Sequence, residues 1–150
     1  MAYSPTTIAN YYIKEKAKFG KLTPIKLIKL VYFAHSWYLT LTDGEKLVDE
    51  RIQAWKYGPV FPSLFDNIKL KGKIEISDPL PYDREETISK DDAEFLERIW
   101  DMYGSYNGIE LSAITHANDT SWQKIYKEDT RDSEIPNEEI LRHYKLRLVD

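Results

Sequence analysis

Residues 24–41 read PIKLIKLVYFAHSWYLTL, an apolar stretch with few polar interruptions. On a helix advancing about 100° per residue, Lys26, Lys29, Phe33, Ser36 and Thr40 fall within roughly 80° of one another, and the rest of the circumference is largely apolar. So narrow a stripe predicts a helix surrounded on most sides by other elements, the central helix of the core. Thr23-Pro24 supplies a side-chain cap and a proline in the first turn, and Asp43-Gly44 supplies a turn, which bounds the helix at about 23–42. The stripe is expected to face solvent. Phe33 in its middle then reads as a contact residue between lysine stems, or as a ring covered by another element of the chain. His35 lies nearly opposite, where a hydrogen-bonded core histidine is expected; a general base there would need a cleft that the sequence does not advertise.

The flanking pattern is punctuated in the same way. Ser4-Pro5 opens a helix expected to reach Phe19 and stop at Gly20. Ile52, Ala54 and Lys56 alternate with Gln53, Trp55 and Tyr57, which predicts a short strand, paired with residues 46–48 and broken by Gly58-Pro59. A short helix follows from Pro62 to about Lys71-Gly72. In residues 73–89, Ile74 and Ile76 suggest an edge strand, and the prolines and acidic residues after them a loop. Ser89 with Asp92 resembles a capping box opening a helix to Gly104, whose face carries Phe95, Leu96, Ile99, Trp100 and Tyr103. Asn107-Gly108 is a turn, Ile109 to His116 a helix, and 122–126 a further turn. Pro136 opens the last helix, with Ile140, Leu141, Tyr144 and Leu148 on one face. The fold class is therefore mainly α with a small β-hairpin, one domain over 1–150 around a central buried helix.

Composition narrows the chemistry. The 150 residues are 42% apolar and 31% charged, ordinary for a globular chain, but Tyr (11) and Trp (4) dominate the aromatics. There is no cysteine, which removes disulfides and thiolate chemistry and fits a cytoplasmic location. The N-terminal residues have no export-signal pattern, and the apolar segment containing Lys29 and His35 is too short to span a bilayer. Residues 1–75 carry 12 basic and 7 acidic side chains, residues 76–150 carry 9 and 18. Lys14, Lys16, Lys18, Lys21, Lys26 and Lys29 crowd the first two helices beside Tyr11 and Tyr12, so a nucleic-acid-binding regulator is one reading. Against it stand a single arginine, Arg51, in the basic half and the acidic excess elsewhere.

No catalytic constellation stands out. The three histidines, 35, 116 and 143, lack metal-ligand spacing; His116 and Asp119 are three apart, but a helix-end hydrogen bond explains His116 more simply. Phosphate loops, dinucleotide motifs and a nucleophile elbow are missing, and Asp91-Asp92 fit a helix start. We expect no metal and no cofactor, and action by contact rather than by catalysis.

Three segments in order carry a family resemblance: LTPIKLIKLVYFAHSWYL at 22–39, IQAWKYGPVFPSLF at 52–65 and LSAITHANDTSW at 111–122. Together they resemble the Panacea domain, formerly a domain of unknown function with phage-associated members, over about residues 6–127. Ser121 stands before Trp122 where the family tends to have proline. The resemblance implies an antitoxin that neutralises a cognate toxin by direct protein contact, the toxin encoded nearby, often on a prophage or other mobile element. An adaptor that delivers its partner to a protease is a further alternative, and self-association is open. Within the motifs, Pro24, Trp37, Trp55, Gly58, Pro59 and Trp122 are expected to be structural. Lys26, Lys29, Phe33, Lys56 and Tyr57 are the candidate contact residues, forming one patch if the strand packs beside the stripe.

Overall fold

The computed structural model describes residues 2–71, 74–82, 86–117 and 119–148. Among them are seven α-helices and a three-stranded sheet. The helices are α1 (Pro5–Lys16), α2 (Pro24–Leu41), α3 (Pro62–Ile68), α4 (Lys90–Tyr103), α5 (Gly108–His116), α6 (Ser121–Ile125) and α7 (Asn137–Leu148). The strands are β1 (Ile52–Trp55), β2 (Gly58–Val60) and β3 (Glu134–Ile135). No helix among the described residues is long and apolar enough to cross a membrane.

Local chemistry sets most boundaries. Ser4, Thr23, Ser89, Asn107 and Thr120 each accept a hydrogen bond from a first-turn N–H of the helix they precede, satisfying a donor that the helix itself cannot. Asn107 is reciprocated by Glu110, a full capping box. Glu50 serves α3 from outside, its carboxylate accepting the Ser63 N–H at 3.0 Å. A 3-10 turn, Ala17–Phe19, carries α1 on to Gly20, whose positive φ of 74° ends the run.

The core is built around α2, where fifteen of eighteen residues are buried. It packs against α1, α3, α4, α5, α7 and β2. Helix α2 is therefore the central helix, but its stripe is not exposed. Lys26, Lys29, Phe33, Ser36 and Thr40 are all buried. The end of α4 covers part of the stripe: Phe33 stacks on Tyr103 with ring centroids 4.2 Å apart, and Lys26 donates to the Gly104 carbonyl at 2.5 Å beneath the Trp100 ring, while Lys29 lies under the β2 backbone at Pro59. Ser36 and Thr40 bond back to the carbonyls of Tyr32 and Ser36, both at 2.8 Å, so neither needs water. Trp37 is also buried and donates to the Tyr103 hydroxyl at 2.7 Å.

Several pairings differ from expectation. Strand β1 pairs with β2 and β3, not with residues 46–48. Leu47 and Val48 instead bridge the N-terminus, where Tyr3 N–H donates to the Leu47 carbonyl at 2.8 Å. Gly58-Pro59 does not break the strand but lies within β2. Proline is tolerated because β2 is an edge strand and Ala54, opposite Pro59, points its N–H at Ser133 on the other side. Ile74 and Ile76 form no strand; Ile76 is buried, its N–H held by the Leu22 carbonyl at 2.8 Å. On α7, His143 lies inside with Ile140 and Tyr144, whereas Leu148 is exposed. The expected helix end at Gly72 and part of the acidic loop, 83–85, lie outside the described residues.

Candidate functional site

The hairpin tip is where the three motif segments meet. Trp55 and Gly58 face each other across a two-residue loop, so Lys56 and Tyr57 form the turn rather than opposite faces of a strand. Neither loop residue has positive φ; Gly58 supplies it at 119°, closing the turn. A side chain at 58 would be strained by that φ and would force its neighbours to shift, since a Cβ there would lie 2.3 Å from Lys29 Nζ and 3.0 Å from Thr115 Oγ1.

Every carbonyl of the tip outside Gly58 accepts a side-chain hydrogen bond. Trp122 Nε1 donates to Trp55 at 2.6 Å, His116 Nε2 to Lys56 at 3.0 Å, Ser112 Oγ to Tyr57 at 2.9 Å and Lys29 Nζ to Pro59 at 3.3 Å. Donors from α2, α5 and α6 thus clamp the backbone and leave the side chains of Lys56 and Tyr57 outside, with Lys56 Nζ 5.7 Å from the Tyr57 ring centroid. His116 sits between two acceptors, its Nδ1 2.6 Å from the Ser112 carbonyl, and packs tilted against the Trp122 ring. Trp122 is buried and Trp55 half-buried, the latter edge-on to Phe65 and beneath the Arg131 guanidinium.

Beside the clamp, α2, α3 and the hairpin enclose a groove of about 230 Å³ lined by Ile25, Ile28, Trp55, Tyr57, Val60 and Phe65, with Lys29 and Lys69. Lys29 is 3% exposed, and burial lowers its pKa from 10.5 to about 7. Of the five contact candidates, Lys56 and Tyr57 remain on the surface. Lys26 and Phe33 are interior, and Lys29 reaches the site from below as part of the clamp. The sequence reading missed Ser112 and the groove residues Ile25, Phe65 and Lys69. Ser112 and His116 lie one helical turn apart, a signal that had meaning only once α5 was seen to abut the tip.

Other chemistry-bearing groups are accounted for within the fold. His35 Nδ1 accepts the Val48 N–H at 3.2 Å, which leaves Nε2–H to donate to Asn137 at 3.0 Å; burial lowers its pKa to about 4. Ser121 Oγ lies 3.2 Å from His143 Nδ1, but Ser121 is fully buried. Asp92 accepts from the Tyr3 hydroxyl at 2.7 Å at the start of α4. No group of three or more His, Asp or Glu side chains among the described residues is placed to hold a metal. The lysine cluster is also partly spent internally: Lys16 pairs with Glu97 at 2.5 Å, Lys26 and Lys29 are buried, and Tyr12 is interior.

Comparison with known proteins matches the same region. The family described as Antitoxin SocA-like, Panacea domain, matches residues 27–123, which include the hairpin, Lys29 and all the α5 and α6 donors of the clamp. The chain is 28% identical over 128 residues to Antitoxin SocA of Caulobacter vibrioides (strain NA1000 / CB15N), covering 79% of this chain and 68% of that protein. No solved structure matches.

Proposed function

This chain belongs to the Antitoxin SocA-like, Panacea domain family, and from that premise we propose that it neutralises one cognate toxin by direct protein contact, without catalysis, through the hairpin tip and adjoining groove. The observation that carries this reading is the clamp. Residues from all three motif segments converge to fix a backbone whose two loop side chains, Lys56 and Tyr57, make no contribution to the core. A tip fixed before binding loses little freedom on association, which favours affinity. An exposed tyrosine beside a cation is the side-chain combination that often dominates protein interfaces. The groove extends the surface toward the roughly 1,200–2,000 Å² in total that a stable contact buries.

The toxin in this proposal is the product of the adjacent open reading frame, the setting is a cytoplasm, and the gene pair is carried on a prophage or other mobile element. The test is to express that neighbouring product with and without this chain. Growth arrest by the neighbour alone, relief on co-expression and recovery of the two proteins as one complex are expected. A neighbour that is harmless alone and never co-purifies would remove the proposal. Direct nucleic-acid binding is less well supported, because the lysines and tyrosines that motivate it are in part engaged inside the fold.

A further inference from the structure

The groove is lined by a buried lysine that has no ion-pair partner among the described residues. Lys29 Nζ has three protons to donate and one hydrogen bond, to the Pro59 carbonyl at 3.3 Å. None of the ion pairs among the described residues involves it. The lysine is also closely housed: Gly58 carries no side chain at the point where one would strike Nζ. A position needing only packing would hold methionine or leucine with less desolvation, since a buried ammonium without a partner is among the costlier things a core can contain.

The lining around it is selective in sign. Two lysines, 29 and 69, stand among apolar residues, and no Asp or Glu among the described residues lines the groove. Asp66 lies outside the lining and pairs with Lys69 at 3.5 Å, both side chains at least half exposed. The volume, about 230 Å³, is below that of a drug-sized ligand site and suits a single side chain with a small polar group beside it.

We propose that the groove receives an acidic, apolar segment of a partner protein, one aromatic or large aliphatic side chain entering among Ile25, Ile28 and Phe65 while a neighbouring carboxylate pairs with Lys29 and Lys69. The proposal rests on the antitoxin reading only for which protein supplies the segment. The carboxylate would give Lys29 the counter-ion that it lacks among the described residues, and burial would strengthen that pairing relative to a surface contact.

The test uses the full-length chain, uniformly ¹⁵N-labelled, titrated with the blocked peptide acetyl-Asp-Trp-Asp-amide and, in parallel, its acetyl-Asn-Trp-Asn-amide analogue. The indole N–H of Trp55, assigned by Trp55→Phe, reports on the groove. The acidic peptide should bind at least about tenfold more tightly than the neutral one, corresponding to roughly 1.4 kcal/mol. The preference should fall below about twofold in Lys29→Met, with folding checked by the same spectrum. Lys69→Gln, on the surface, should reduce it about threefold and provides the second variant should Lys29→Met not fold. Equal binding of the two peptides, no change at Trp55, or an equal response to inorganic phosphate alone would overturn the proposal. So would a Trp55 shift on simple concentration of the free chain, which would make a second copy the occupant. Each of these outcomes is separate from growth rescue on co-expression, so the groove assignment can fail while the antitoxin reading stands.

Discussion

Replacing Lys29 by methionine should stabilise the protein near neutral pH, and most of that gain should vanish in mild base. Burial holds the amine's pKa at about 7 in the folded chain against 10.5 when solvated. The unfolded chain therefore binds more protons between those values, and stability must rise with pH across that window. Below about pH 7 the full penalty is present, an upper bound of roughly 5 kcal/mol at 1.36 kcal/mol per pH unit. Methionine removes it but leaves the Pro59 carbonyl without its donor, which costs about 1 kcal/mol. Allowing for relaxation around the ammonium, Lys29→Met should gain about 2–4 kcal/mol at about pH 6 and close to nothing at about pH 9.5. Urea unfolding followed by tryptophan fluorescence at several pH values measures both curves. Measurements up to about pH 9.5 stay below 10.0, the ordinary tyrosine value, above which the raised pKa values of the folded tyrosines would make stability fall with pH. Lys26, also lowered by burial, contributes to both proteins alike. A wild-type curve flat from about pH 7 to 9.5, together with a Lys29→Met protein no more stable at about pH 6, would refute the reasoning.

Further outcomes follow from the same geometry. Burial lowers the pKa of His35 to about 4 against 6.5, so stability should fall as pH drops through that window by about 3 kcal/mol, and the slope should be shallower in His35→Gln. His143 is lowered in the same direction, first by burial, so some slope should remain in that variant. Gly58→Ala should cost about 2–4 kcal/mol in chemical denaturation, and Gly44→Ala about 1–2. Both glycines have φ near 118°, but only at 58 would a Cβ meet another group. Phe33→Ala should cost about 3–5 kcal/mol, as expected of a core ring stacked on Tyr103 and not of a surface contact.

What the sequence disclosed was mainly what a few neighbouring residues decide. The caps at Ser4, Thr23 and Ser89 and the turn at Asp43-Gly44 are local hydrogen-bonding and φ preferences, and each stands where the spacing placed it. The central position of α2 was legible because so little of its circumference is polar. What covers that polar stripe was not, since a helical wheel gives the face and not the element about 70 to 80 residues away that packs on it. Gly104 and Tyr103 cover Lys26 and Phe33, and Pro59 covers Lys29. The strand partner failed for the same reason: β3 is two residues long, too short to show alternation, and residues 46–48 were attractive only by proximity. At the site, Lys56 and Tyr57 emerged from motif spacing, whereas Ser112 and the groove depended on the docking of α5 and α3 against the hairpin.

Toxin neutralisation, as proposed, depends on the hairpin tip as the contact surface. Cells expressing the adjacent open reading frame's product should be rescued by the wild-type chain and by Leu146→Ala, a control on the exposed end of α7. Rescue should be lost with Tyr57→Ala combined with Lys56→Glu, while the purified double variant keeps the wild-type melting temperature to within about 2 °C, as expected for exposed positions. Full rescue by that folded double variant would contradict the assignment.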